Sequence, residues 1–234
     1  MKRVYIDYLP ASVHRYDNDV AIIAVDVFRA TTTVVTCVSA GRRCFMVPAP
    51  EAAHVLARSL RRPLLLGESA GSVPESFDMD NSPSALASRS DVTRPAVICS
   101  SSGAPLVAEA AQHRHVYAAA LRNLSAQVAY VCDVHEEVAV IGAGTRGEFR
   151  PEDQAGCAWI AGSLVERGFK CEEEESNELI AYWRSTPLDA ILESKSVVWL
   201  EQTGRQADVE FVMQHVDDLD IVVKLHNGEL RRMS

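Results

Sequence analysis

Short apolar runs recur along this chain, and each is followed within a few residues by a segment of helical spacing. AIIAVDV (21–27) precedes TTTVVTCVSA, which ends at Gly41, and RCFMVPA (43–49) precedes PEAAHVLARSLRR. PLLLGE (63–68) leads through a Ser/Pro/Gly-rich stretch to a helix that starts near Asn81, Ser82 and Pro83. PAVICSS (95–101) precedes APLVAEAAQH, HVYAAAL (115–121) precedes Asn123 and LSAQVAYVCD, and EVAVIGAG (137–144) precedes a longer helix from about Glu152 to Glu166. Apolar runs this short suit buried strands, and the strand-then-helix rhythm is that of a mostly parallel sheet covered by helices. The expectation is an α/β fold, three-layer α/β/α. No internal repeat and no separating linker is visible, so residues 1–234 are read as a single domain.

The C-terminal third is less regular. SNELIAYWRSTPLDAILESKS reads as helical in pieces broken at Pro187, DVEFVMQHV fits a helix or a strand, and DIVVKLHNGELRRM reads as a hairpin around Asn227-Gly228. The run CEEEESNE (171–178) reads as a solvated connection.

Ligands of parallel α/β sheets sit beyond the carboxyl ends of the strands, and the polar clusters fall there. Asp26, Arg29, Thr31, Thr32 and Thr33 follow the first run; Glu68 follows LLLG; Ser100, Ser101, Ser102 and Gly103 follow AVIC; Asn123 follows YAAAL; Glu152 and Asp153 follow AVIGAG. Any one of these fits a helix cap. Charge on Arg29, Glu68, Glu152 and Asp153 goes beyond what capping needs. Helix N-termini hold phosphate through N–H groups and the helix dipole, and an arginine adds a bidentate grip. Carboxylates would repel that phosphate unless a cation stood between, and Mg²⁺ takes one or two carboxylates while sharing phosphate oxygens. The pattern points to metal-assisted phosphoryl transfer.

The net charge of −9 argues against a nucleic-acid partner. No apolar run reaches membrane-span length, and MKRVYIDYLPASVH lacks the apolar core of a signal peptide. The expectation is a cytoplasmic protein with no membrane partner and six reduced cysteines; whether it forms a homo-oligomer stays open.

Taken together and in order, these residues resemble the 2-phosphosulfolactate phosphatase (ComB-like) family. VDVFRATTT (25–33) is similar to its Asp-x-x-Arg-Ala-x-Thr-Thr stretch. GESAG (67–71) followed by FDMDNSPSAL (77–86) is similar to its Gly-Glu-Arg-x-Gly and Gly-Phe-Asp-x-x-Asn-Ser-Pro segments. LRNLSAQVAYV (121–131) resembles its Asn-containing junction, and VIGAGTRGEFRPEDQAGCAWIAGSL (140–164) its Gly-rich turn, Glu-Asp pair and small-residue helix. The likeness runs from about residue 20 onward. It implies a Mg²⁺-dependent phosphatase of three-layer α/β/α fold, hydrolysing 2-phospho-3-sulfolactate to 3-sulfolactate and phosphate, a step of coenzyme M biosynthesis. Two departures stand out: Ser69 replaces the arginine of Gly-Glu-Arg, and Ser100-Ser101-Ser102-Gly103-Ala104 replaces Thr-Thr-Asn-Gly-Thr.

On these grounds the expected catalytic residues are Asp26, Arg29 and Glu68. The substrate and phosphate residues are Thr31, Thr32, Asn81, Ser82, Ser100, Ser101, Ser102, Gly103 and Asn123. The metal carboxylates are Asp26, Asp78, Glu152 and Asp153. An ion pair with Asp26 is the alternative role for Arg29. Two rival functions remain in view: a diverged anion-binding homologue without catalysis, and a dinucleotide-binding oxidoreductase suggested by Gly142-Ala143-Gly144-Thr145-Arg146-Gly147.

Overall fold

The computed structural model describes residues 1–233. In chain order its elements are β1 (Arg3–Tyr8), β2 (Ala21–Val25), α1 (Ala30–Ser39), β3 (Cys44–Val47), α2 (Pro50–Ala57), β4 (Leu64–Gly67), α3 (Pro83–Ala87), β5 (Ala96–Cys99), α4 (Gly103–Ala110), β6 (Val116–Ala119), α5 (Leu124–Val134), β7 (Glu137–Gly142), α6 (Pro151–Glu166), α7 (Glu174–Ser185), α8 (Lys195–Gln202), α9 (Gln206–Gln214), β8 (Val223–His226) and β9 (Glu229–Arg232). The strands form one sheet in the order β1-β7-β2-β6-β8-β9-β3-β5-β4. Neighbours are parallel within β1-β7-β2-β6 and within β3-β5-β4. The two parallel sets are joined by the β8–β9 hairpin, which pairs antiparallel with β6 on one side and β3 on the other. Its turn is Asn227-Gly228, both at positive φ, as a two-residue hairpin of the strands' own twist requires.

Alternate residues of each strand face opposite layers. Val4, Ile6, Ile23, Val25, Tyr117, Val138 and Val140 pack under α5, α6 and α7. Ile22, Ala24, Val116 and Ile141 pack against Leu106, Val107 and Ala110 of α4. Val34, Val35 and Val38 of α1 touch β6 through Ala118 and also β4 and β5 through Leu64, Leu66 and Ile98, so the joined sheet wraps this helix from both parallel sets. Val97 and Cys99 face outward under Ala53 of α2. Helices therefore cover both faces, the three-layer α/β/α arrangement expected.

The structure sharpens three readings. Residues 3–8, read above only for the absence of a signal peptide, form an edge strand beside β7. The acidic run enters α7 at Glu174, where Glu174 and Glu175 occupy a first turn that favours negative charge. DVEFVMQHV resolves as α9, with Val209 and Val212 buried. Among the described residues no helix is long and apolar enough to cross a membrane, and all six cysteines are free.

Candidate active site

The carboxyl ends of β2, β4, β5 and β7 open onto one cavity of about 440 Å³. Asp26 follows β2 directly and is 5% exposed. The three threonines that follow build the turn beneath it. The Asp26 N–H donates to Thr31 Oγ1 at 2.9 Å, and Thr31 Oγ1 donates back to the Asp26 carbonyl at 2.9 Å. Thr32 Oγ1 donates to the Val27 carbonyl at 2.8 Å and Thr33 Oγ1 to that of Arg29 at 3.0 Å. These hydroxyls replace missing helical partners where the strand breaks into α1. Thr31 and Thr32, expected to face phosphate, build the turn: both are fully buried and neither is in the cavity lining.

What the turn presents is the Asp26 side chain. Its Oδ1 accepts from the Ala30 N–H at 3.1 Å. The head of α4 closes against the other oxygen: a Cβ at residue 103 would lie 2.7 Å from Asp26 Oδ2 and 2.7 Å from the Ala30 methyl, so only glycine fits. Gly103 therefore acts by close approach to Asp26. Burial pushes the Asp26 pKa up to about 6, the nearby charges of Glu152 and Glu68 add to this, and the Ala30 and Gly103 N–H groups oppose it.

Behind Asp26 stand Glu152 and Asp153, buried in the first turn of α6. Burial lifts both above the ordinary carboxylate range, and the charge of Asp26 lifts Asp153 further. Their roles differ. Asp153 staples two loops: its Oδ1 accepts from the Val27 N–H at 2.9 Å and its Oδ2 from the Gly144 N–H at 3.2 Å. Asp153 thus clips two backbone segments together through both oxygens. Glu152 Oε2, in contrast, is buried without a hydrogen-bond partner; the residue lies outside the cavity lining, and the Ser196 and Ser194 hydroxyls and the Arg150 charge oppose the effect of its burial.

Arg29 sits at the head of α1 and touches the cavity, yet its charge is already matched. It donates to both oxygens of Asp80 at 3.0 Å and to Asp208 Oδ2 at 2.6 Å. Arg205 closes the network on Asp80 at 2.5 Å. Burial alone would raise the Asp80 pKa, but the bonds from Arg29 and Arg205 outweigh it and hold the group below its usual range. The alternative ion pair of Arg29 with Asp26 is not formed; the partners come from residues 80 and 208. Arg29 ties α9 and the Asp80-Asn81-Ser82 loop to the Asp26 turn.

The remaining expectations divide by location. Asn81, Ser100, Ser101 and Ser102 line the cavity, and Asn81 Oδ1 is buried without a partner. Ser102 stands at the N-cap of α4 and makes no cap hydrogen bond. Glu68 lines the wall but spends its oxygens on the loops: it accepts from the Gly71 N–H at 2.8 Å, the Ser101 N–H at 2.6 Å and Ser101 Oγ at 2.9 Å. It positions the β5–α4 loop. Three of the expected residues lie outside the cavity lining. Asp78 accepts from the Leu65 N–H at 2.9 Å and from Arg94 at 3.0 Å along the edge strand β4. Ser82 caps α3 and donates to Asp208 at 2.6 Å. Asn123 is fully buried, bonding the Ala120 N–H and the Ile221 carbonyl.

The sequence reading missed Asp80 and Asp208, and it missed a further part of the lining, made of Thr145, Arg146, Arg150, Lys195, Ser196 and Trp199. Arg146 was passed over because the glycines around it suggested a dinucleotide loop. That loop instead closes on itself, with Thr145 and Glu148 exchanging backbone hydrogen bonds at 2.9 and 3.1 Å, and the helix starts only at Pro151. Nothing near Lys195 or Trp199 in the sequence signals a site; only the folding of α8 over the cavity brings them in.

Among the described residues, no group of three or more His, Cys, Asp or Glu side chains is placed to hold a metal ion by itself. Mg²⁺ is an ion that keeps waters and completes its shell with substrate oxygens, and so takes as few as one or two carboxylates. The buried Glu152 Oε2 without a hydrogen-bond partner and the Asp26 carboxylate, which has backbone N–H groups but no basic side chain beside it, are of the donor type such an ion takes.

Comparison with known proteins gives one answer. A family model described as 2-phosphosulpholactate phosphatase matches residues 8–228. A probable 2-phosphosulfolactate phosphatase of Thermus thermophilus is 32% identical over 221 residues, 91% of this chain and 90% of the relative. Proteins of the same description from Deinococcus radiodurans (31% identical, 91% and 89% covered) and Carboxydothermus hydrogenoformans (29%, 92% and 90%) are similar along the same length.

Proposed function

The chain belongs to the 2-phosphosulpholactate phosphatase family, and we propose that it is a Mg²⁺-dependent phosphatase of a small acidic phosphomonoester, with 2-phospho-3-sulfolactate as the reference substrate. The observation that carries this reading is Asp26. It is a buried carboxylate facing a cavity, with no basic partner and with a second buried acid, Glu152, behind it. A buried charge left so costs several kcal/mol, and a resident divalent cation would remove that penalty.

Asp26 and Glu152 are the residues that would hold Mg²⁺, which when bound offsets the charge on the phosphate oxygens. The protein's own part is positioning. The Ala30 N–H and the close-packed Gly103 fix the Asp26 carboxylate, and Asp153 and Arg29 fix the turn that bears it. The head of α4 is capped from Ser100, whose Oγ accepts from the Ala104 N–H at 3.1 Å, which leaves the Ser102 hydroxyl and Asn81 Oδ1 as polar groups beside Asp26 for a phosphate ester and its leaving hydroxyl. Phe28, Trp199 and Leu200 form an apolar wall that limits water. Burial holds the Asp26 pKa up at about 6, and a cation bound beside it would favour the ionised form.

Phosphate release from 2-phospho-3-sulfolactate and related phosphorylated hydroxy acids, measured with Mg²⁺ and with EDTA, tests the proposal. Release that requires Mg²⁺ supports it. A folded protein that binds these anions without releasing phosphate would point to the non-catalytic anion-binding alternative.

A further inference from the structure

The cavity lining carries both signs of charge: the acids Asp26 and Glu68, and the bases Arg146, Arg150 and Lys195, in a chain whose net charge is −9. Arg29 does not count toward these bases, since Asp80 and Asp208 already neutralise it. Ser69, beside Glu68, brings no cation. The two arginines belong to the tight turn after β7 and the residues that follow it. Thr145 and Glu148 exchange backbone hydrogen bonds, and Arg146 and Gly147 occupy the turn at positive φ. Ser102 Oγ lies 3.3 Å from Thr145 Oγ1, which ties this turn to the head of α4.

One acid pairs with these bases from outside the cavity lining. Glu148 bonds Lys195 Nζ through both oxygens at 2.8 and 2.9 Å and Arg150 at 2.7 Å. Arg146 forms no ion pair among the described residues, and Arg150 Nε is buried without a partner. The Glu148 carboxylate is half exposed, and exposed ion pairs of this kind add little stability. An incoming anion can replace it at small cost.

We propose that Arg146, Arg150 and Lys195 form the subsite for the second acidic group of the substrate, a sulfonate or carboxylate, and that Glu148 is an internal anion this group displaces. This rests on the phosphatase reading for the identity of the substrate but on these bases alone for the subsite. It gives the substrate one orientation, with phosphate toward Asp26 and the second acid toward the Thr145–Glu148 turn. It also makes Glu148 a determinant of affinity, because a carboxylate there competes with the substrate.

Calorimetric binding of 3-sulfolactate, the dephosphorylated acid, tests the subsite without requiring turnover. Removing charge-assisted contacts in R146A/R150A should weaken binding about ten- to a hundredfold, and E148Q should tighten it severalfold. R146A alone, at an exposed turn position, gives the same sign should the double variant fail to fold. Unchanged affinity in R146A, weaker binding in E148Q, or no binding by the wild type at millimolar ligand overturns the proposal. Phosphate release is assayed in parallel on the wild type. Binding that follows the arginines without any release defeats the phosphatase reading and keeps the subsite, whereas release with affinity indifferent to the arginines does the reverse.

Discussion

Asp26 is held where a carboxylate is least at ease, and that discomfort is measurable. Its native pKa of about 6 lies above the ordinary value for the unfolded chain, so the folded state takes up a proton as pH falls through 6. The metal-free protein should therefore gain stability on acidification from neutral pH through this range. D26N should reduce that dependence, the part carried by Glu152 and Asp153 remaining, and raise the melting temperature of the metal-free form, by an amount equivalent to about 1–3 kcal/mol, while abolishing phosphate release. Thermal unfolding in EDTA across this pH range decides it; a D26N protein less stable than the wild type at neutral pH would show that the Asp26 charge is already compensated. Arg29 should behave in the opposite way. Its loss strands Asp80 and Asp208 in the interior, so R29A should destabilise by about 3–5 kcal/mol. An R29A protein with an unchanged melting temperature and only a raised KM would restore the direct phosphate contact that the sequence suggested.

At the scale of elements, the close fit of α4 against the Asp26 turn makes its own prediction. G103A places a methyl 2.7 Å from Asp26 Oδ2, so activity should fall at least tenfold with circular dichroism unchanged; full activity would mean that the two elements are not tightly coupled. This contact also marks what a sequence can disclose. The runs that became β2 to β7, and the helices after them, were legible because strand and helix periods are local properties. The Asn227-Gly228 hairpin was legible for the same reason, since the turn chemistry is carried by two adjacent residues. That the hairpin would splice two parallel sets of strands together was not legible, because strand order is a long-range choice. Asp26 could be found as an acid stranded at the end of an apolar run. Asp80 and Asp208 could not be assigned to Arg29, since the partners lie 51 and 179 residues away in the chain. Thr31, Thr32, Ser82 and Asn123 misled because a hydroxyl or amide that completes a turn has the same sequence signature as one that binds phosphate.

Across the whole molecule, helices α8 and α9 form a cover over residues that the sheet supplies. Trp199 and Lys195 come from α8, Asp208 from α9, and Asp26, Glu68 and Ser100 from strand ends. Residues so far apart in sequence meet only in the native state, and so a ligand held by them should stabilise the fold as a unit. With Mg²⁺ at a hundredfold excess over its dissociation constant the gain is about 2.7 kcal/mol. The thermal shift should vanish in D26N/E152Q, and an equal shift in that variant would place the ion elsewhere.

The most direct test of the account is phosphate release from 2-phospho-3-sulfolactate by the wild type and D26N, each with Mg²⁺ and with EDTA. The account predicts release by the wild type with Mg²⁺ alone and none from D26N under either condition. Release that persists in EDTA, or in folded D26N, would contradict it.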